Sequence, residues 1–374
     1  MFKNTMNLLQ EYERLGVPGF DLSVYYKGKE VLRDFRGVRD ESGSALTGNE
    51  FYNLYSASKV ITCVSALKLI QEGKLSLNDD LAEYIPAFKD MTVKRAGAIV
   101  KAEKKITIAH LFTMTAGLNY VVTSDAILEG IKETEGKCPT VEMMKYIAKS
   151  PLEFEPGENW QYSLCHDVLA AVVEVVSGER FGEYVRNNIF KPLGMLHSTF
   201  LLDDKDLDKL LEQYHYYNDR KYVNIGKKIL NYKFGSLYES GGAGMISTVD
   251  DYKLFLEGVR TGKVISDEMR QLMQTDMLTS SQRPSCWVAQ GYGYGLGVRV
   301  PKVGSLRTDY GWGGAAGAYC AIDEKNEISI FYAQHVVGSI NSPLNSGLIE
   351  AVKLDLGLEA DEQGVWRGDG SHLA

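Results

Sequence analysis

No run of 18 or more apolar residues occurs in this 374-residue chain, so no transmembrane helix is expected. The opening residues, Met1-Phe2-Lys3-Asn4-Thr5-Met6, lack an apolar signal core, so export is not expected. Cytoplasmic residence is the expectation, with a trimmed exported form as its alternative. Cysteine is scarce: Cys63, Cys138, Cys165, Cys286 and Cys320 are odd in number and form no C-x-x-C. That excludes a disulfide framework or zinc site as the organising device and reads as reduced thiols. The six histidines include no H-E-x-x-H, so neither a metal nor a cofactor is expected. Basic charge is in deficit, 41 Lys and Arg against 49 Asp and Glu, a net −8. This argues against nucleic acid or an anionic membrane as partner. A Gly-x-Ser-x-Gly elbow is missing, which removes support for an α/β-hydrolase.

What is present is an ordinary globular composition, 44% hydrophobic and 24% charged, in a chain long enough for a large core and two structural regions. Leu8, Leu9, Tyr12 and Leu15 recur at helical spacing, closed by Gly16 and Pro18. Phe20–Tyr26 and Glu30–Arg36 read as an edge hairpin turning at Lys27-Gly28-Lys29. The middle of the chain reads as helices. One runs from Val60 to Ile70 before Gly73, and a short one has Thr107 as cap and Gly117 at its end. Another runs from Thr140 to Ala148, and one from Asp167 to Val176 ends at Gly178. A further helix runs from Phe181 to Ile189, stopped before Pro192, and the last of this region is capped by Thr248 with Asp250 and Asp251 in its first turn. Residues 202–228 are polar and Tyr-rich and read as a surface excursion. Tyr294–Val300, Gly317–Asp323 and Ile328–Gln334 read as strands, and Pro343–Leu356 as a final helix. With strands at both ends and helices between, the expected fold is α+β. An antiparallel sheet from both chain ends is flanked by helices, with an inserted, mostly helical region. The division expected is one domain over 1–358, its sheet region about 1–55 and 290–358 and its helical region about 56–289. A polar tail follows over 359–374.

Three constellations carry chemistry. Ser56 and Lys59 stand three apart at a helix entrance, on one face. A hydroxyl needs a base beside it to act as a nucleophile, and a crowded Lys can serve. Ser65-Ala66-Leu67-Lys68 has the same spacing, but Ser65 is mid-helix on the opposite side, where a hydroxyl bonds to its own backbone. Tyr162 lies in a loop before a helix, and beside an ammonium its phenolate is favoured. Tyr310-Gly311-Trp312-Gly313-Gly314-Ala315 puts glycines at a strand, as close approach to the backbone requires. Ser240-Gly241-Gly242-Ala243-Gly244 reads as a tight turn only, without the strand and helix of a nucleotide site.

Together these stretches make the chain similar to the serine β-lactamase and penicillin-binding-protein superfamily. The resemblance is nearest to class C β-lactamase-like proteins and family VIII carboxylesterases. ITIAHLFTMTAGL (106–118), Pro192-Leu193-Gly194-Met195 and GGAGMISTVDDY (241–252) extend it over nearly the whole chain. The resemblance implies the β-lactamase/transpeptidase-like fold and two-step acyl transfer. It makes Ser56 the nucleophile, Lys59 its activating partner and Tyr162 the general base, with the N–H groups of Ser56 and Ala315 as oxyanion hole. Trp312, Gly313, Gly314 and Leu164 would contact substrate. Two positions depart from the family. Leu164 stands where Tyr-x-Asn has Asn, and Trp312-Gly313-Gly314 stands for Lys-Thr-Gly, with Arg307 a candidate replacement for the lost cation. Both departures lean the expectation toward small neutral esters or amides. The alternatives are a true β-lactamase or D-Ala-D-Ala carboxypeptidase/D-aminopeptidase, and a non-catalytic penicillin-binding sensor. The expected partner is a small ester, amide or β-lactam; oligomeric state is not legible.

Overall fold

Strands from the two ends of the chain pair into one seven-stranded sheet, antiparallel throughout, in a computed structural model that describes residues 2–217, 221–227 and 232–361. From one edge to the other the strands are Lys29–Gly37, Gly19–Tyr26, Ile328–Gln334, Tyr319–Asp323, Tyr310–Gly313, Arg299–Val300 and Gly293–Tyr294. The hairpin of the N-terminal end meets the C-terminal end through Leu22 opposite Tyr332 and Val24 opposite Ile330. Because strand side chains alternate, Phe20, Leu22 and Val24 all face one way. They pack with Leu8, Leu9 and Tyr12 of the helix Lys3–Arg14 and with Leu348, Ile349 and Val352 of the helix Gly347–Asp355. The opposite face, carrying Phe331, Cys320 and Trp312, joins the larger core. That core receives the helices Ser58–Gln71, Cys165–Ser177 and Val249–Arg260. The α+β architecture, with helices inserted between two strand-forming ends, is the expected one.

The helix Ser58–Gln71 is buried nearly all round, which is why its sequence shows no polar stripe. Gly73, at φ 68°, ends it in the left-handed conformation. Thr107 caps the helix Ile108–Phe112, and the Thr248 hydroxyl accepts from the Asp251 N–H.

Several boundaries differ from expectation. The Thr107-capped helix stops at Phe112, not Gly117, because Met114 already takes a positive φ of 59°. The segment from Phe181 runs through Pro192 to Leu193, because a π-helical turn, Arg186–Phe190, widens the backbone ahead of the proline. Tyr294–Val300 is a tight hairpin in place of one strand, with Gly297 at φ 80° in its turn. The last helix starts at Gly347, after a separate 3-10 turn, Ser342–Leu344. The Tyr-rich excursion holds a strand pair, Gln213–Tyr217 with Lys221–Gly226. It is tied to the sheet side by Val336–Val337 and to the Ser56 loop by a hydrogen bond from the Tyr55 hydroxyl to Gln213. Most of the polar tail, 362–374, lies outside the described residues. Among those residues no helix is long and apolar enough to cross a membrane, and no cluster of His, Cys, Asp and Glu could hold a metal ion.

Candidate active site

Tyr55 begins the site. It is a buried tyrosine at φ 46°, a conformation that costs a residue with a side chain about 1–2 kcal/mol. Packing and hydrogen bonds hold it: its hydroxyl donates to Gln213, and its carbonyl accepts the Ser58 hydroxyl at 2.5 Å. Ser56 sits in the 3-10 turn Tyr55–Ala57. The first hydrogen bond of that turn is made by the Ala57 N–H to Leu54 O at 3.2 Å. The Ser56 N–H therefore lies ahead of the hydrogen-bonded ladder, where helix-start donors remain available.

Ser56 Oγ receives the Tyr162 hydroxyl at 2.5 Å and lies 3.3 Å from Lys59 Nζ. Lys59 is fully buried, and its ammonium also donates to the Gly242 carbonyl at 2.6 Å. It faces the Tyr162 ring at 4.6 Å and the Tyr120 ring at 5.5 Å from their centroids. A buried ammonium between two aromatic faces and two oxygens is compensated without a direct ion pair. Burial pushes the Tyr120 phenol well above its ordinary range, with Tyr162 and Asp167 adding to the effect. Tyr120 is thus a neutral wall.

The control serine behaves as its position dictates. Ser65 is buried mid-helix and its hydroxyl donates to Ile61 O at 2.8 Å.

Ser56 and Tyr162 open onto a cleft of about 500 Å³. One wall is aromatic: Trp287, Trp312 and Tyr162, with Trp312 stacked on Tyr162 at 6.1 Å and 14°. Gly313, Gly314 and Ala315 line the cleft too. Among the described residues, the Ala315 N–H donates to no protein acceptor, as an oxyanion donor requires. At Gly314 a Cβ would stand 2.2 Å from Leu54 O, so only glycine lets this strand end close on the Ser56 loop.

Two sequence expectations are corrected. Leu164 does not reach the cleft. As the residue before the helix Cys165–Ser177 it turns inward, is buried, and borders a separate void with Leu118, Asn119 and Ile127. An apolar side chain at that place belongs to the core. Arg307 is not a cleft residue either: it pairs with Asp361 at 3.0 Å, donates to Ser346 O at 3.1 Å and bonds the Tyr292 hydroxyl. The cation that does line the cleft, Arg299, is committed to Asp309 at 2.6 Å and Tyr319 at 2.8 Å.

Sequence reasoning missed three contributors. Tyr120 and Trp287 carry no motif of their own. The third, the Gly242 carbonyl, lay in the glycine cluster read only as a turn.

Residues 6–343 match the family described as Beta-lactamase, and the chain belongs to it. "Esterase EstB" of Burkholderia gladioli is 26% identical over 359 residues, covering 87% of this chain and 88% of that protein. Among solved structures, "EstCE1, a hydrolase with promiscuous acyltransferase activity" superposes with a TM-score of 0.75 at 26% identity, over 94% of this chain and 97% of the other. The octameric penicillin-binding protein homologue from Pyrococcus abyssi shares the fold, with a TM-score of 0.74 at 21% identity, over 97% of this chain and 78% of the other. The chain is thus related to hydrolases of the β-lactamase fold.

Proposed function

We propose that the protein is a serine hydrolase of small, neutral esters, with amides as slower substrates, working through an acyl-enzyme. The observation that carries this reading is the Ser56 hydroxyl, 2.5 Å from the Tyr162 hydroxyl and 3.3 Å from the Lys59 ammonium, at the floor of an aromatic-walled cleft. In the reactive form the Tyr162 phenolate takes the Ser56 proton, with the Lys59 ammonium against its ring to balance the charge. Ser56 Oγ bonds to the substrate carbonyl carbon, and the carbonyl oxygen becomes an oxyanion held by the Ser56 and Ala315 N–H groups. Tyr162 then gives its proton to the departing alkoxide or amine as the C–O or C–N bond breaks. A water repeats the cycle: Tyr162 takes its proton, its oxygen attacks the acyl carbon, and Ser56 leaves with the proton returned from Tyr162.

The preference for neutral substrates is supported by charge placement. Trp312 stands where the family's Lys-Thr-Gly has its cation, and Arg299 is already paired. A missing charge-assisted bond of about 1.5–3 kcal/mol weakens an acidic substrate about tenfold or more. The likeness to an esterase over 87% of the chain agrees with this reading.

The test is a paired rate comparison of p-nitrophenyl butyrate and a chromogenic cephalosporin, with Ser56→Ala as blank and intact mass recorded. Rapid ester turnover, a transient adduct of one butyryl group, and slow or no cephalosporin turnover are expected. Faster cephalosporin turnover would move the protein to the β-lactamase branch. A permanent adduct without product would make it a sensor.

A further inference from the structure

A buried carboxylate outside the three motifs, and not among the residues lining the cleft, acts electrostatically on Lys59. Asp167 belongs to the first turn of the helix Cys165–Ser177 and is 2% exposed. Its Oδ1 receives the Tyr238 hydroxyl at 2.9 Å and the Ser240 hydroxyl at 2.6 Å. Both hydroxyls donate, since a carboxylate oxygen only accepts, and Ser240 Oγ in turn accepts the Ala243 N–H at 3.0 Å. The Gly242 N–H also serves the carboxylate. Burial raises the Asp167 carboxyl above its ordinary value, and the nearby Lys59 ammonium and the three donors oppose that rise by favouring the anion.

The turn these bonds hold, Ser240–Gly244, delivers the Gly242 carbonyl to Lys59 Nζ at 2.6 Å. Thr62 fixes its other carbonyl, donating to Gly241 O at 2.8 Å. The glycines are needed for this approach. A Cβ at Gly242 would stand 2.2 Å from Asp167 Oδ2, and one at Gly241 would stand 2.5 Å from the Ala170 Cβ.

We propose that Asp167 is a positioning residue for the Ser56–Lys59–Tyr162 centre. It anchors the Ser240–Gly244 turn so that Gly242 O receives the Lys59 ammonium, and its carboxylate supplies negative charge to the surroundings of that ammonium. This rests on the reading of Ser56 as nucleophile. Other titratable groups around Lys59 are Tyr120, Tyr162, His166, Cys63 and Cys165. Burial holds His166 down to about 3 and pushes Cys165 up to about 11. It also raises Cys63, so these three are uncharged at neutral pH, and Asp167 is the acidic group among them whose anion Lys59 favours.

The experiment is Asp167→Asn, an isostere without the charge, with Ser240→Ala as a milder second variant. Rates on p-nitrophenyl butyrate are normalised to serine titrated by a fluorophosphonate. Expected for Asp167→Asn is a loss of tenfold or more in kcat, KM within threefold of wild type, and an alkaline limb of the kcat profile moved to lower pH. Ser240→Ala moves both in the same direction by less. If either variant melts lower but keeps wild-type kcat per titrated serine and the wild-type pH profile, Asp167 is only a folding residue and the inference fails. If Ser56→Ala retains turnover, the nucleophile assignment fails instead, and the two failures are distinguishable.

Discussion

Gly314→Ala is the substitution in which the closure of this fold is measured by its chemistry. The two proposed oxyanion donors come from different segments, Ser56 from the loop after Leu54 and Ala315 from the segment after the strand Tyr310–Gly313. They are brought together where Gly314 packs on the Leu54 carbonyl. A Cβ at Gly314 would stand 2.2 Å from that oxygen, whereas real Cβ contacts are not under 3.0 Å, so the segments must part by the difference, 3.0 − 2.2, or about 0.8 Å. The oxygen cannot simply swing away, because it also holds the Ala57 N–H at 3.2 Å. A catalytic constellation tolerates about 0.5 Å, and a misplacement near 1 Å costs about 100-fold, approaching the penalty for losing one oxyanion donor. The expected result is a fall of about 100-fold in kcat on p-nitrophenyl butyrate, KM changed much less, and about 1–3 kcal/mol of stability lost by overpacking. The assay is steady-state turnover alongside urea unfolding, normalised to titrated serine. A Gly314→Ala enzyme within threefold of wild type in kcat would refute the placement of the oxyanion hole between these two segments.

Ser56→Ala is expected to abolish ester turnover, while Ser65→Ala, whose hydroxyl only bonds Ile61 O, keeps it within about threefold; a dead Ser65→Ala enzyme would contradict the helix-face argument. Leu164→Asn, set in the core beside Leu118 and Ile127, is expected to cost about 1–3 kcal/mol in urea unfolding and to leave the ratio of ester to cephalosporin rates unchanged, and a changed ratio would return Leu164 to the substrate. Acid stability should report His335, which burial holds down to about 4 and whose ring nitrogens have no hydrogen-bond partner among the described residues. Below about 6.5 the unfolded chain takes this proton and the folded one does not, so stability is complete above 6.5 and lost as pH falls toward 4, by about 2 kcal/mol at pH 5. His335→Phe should remove that part of the change between pH 7.5 and 5, and an unaltered slope would show the histidine to be solvated.

What the sequence made legible was whatever a short local pattern can carry. The strand periodicity of Phe20, Leu22 and Val24, the caps Thr107 and Thr248, and the Ser56–Lys59 spacing are consequences of one element's geometry. The illegible parts depend on how distant segments meet. Leu164 is two residues from Tyr162 along the chain, yet their side chains serve opposite sides of one loop, which spacing cannot reveal. The Tyr-rich excursion gave no alternation clear enough to expose the pairing of Gln213–Tyr217 with Lys221–Gly226, and its link to Tyr55 spans 158 positions.

The same distinction explains why Ser56-x-x-Lys59 opens onto the cleft and Ser65-x-x-Lys68 does not. Both satisfy the pattern. Ser65 lies inside a helix already paired with its own backbone. Ser56 lies where the chain has been forced into a left-handed step at Tyr55, and that strain is sustained by contacts from remote segments: Gln213 on the phenol, Met245 N–H on Ser58 Oγ at 3.0 Å, and the Tyr252 hydroxyl on Ala57 O at 2.8 Å. A step costing about 1–2 kcal/mol survives only where such contacts over-determine it. The motif supplies the proposed nucleophile, and the rest of the fold supplies the backbone conformation that turns its hydroxyl toward Tyr162 and Lys59 and keeps its N–H ahead of the helical ladder.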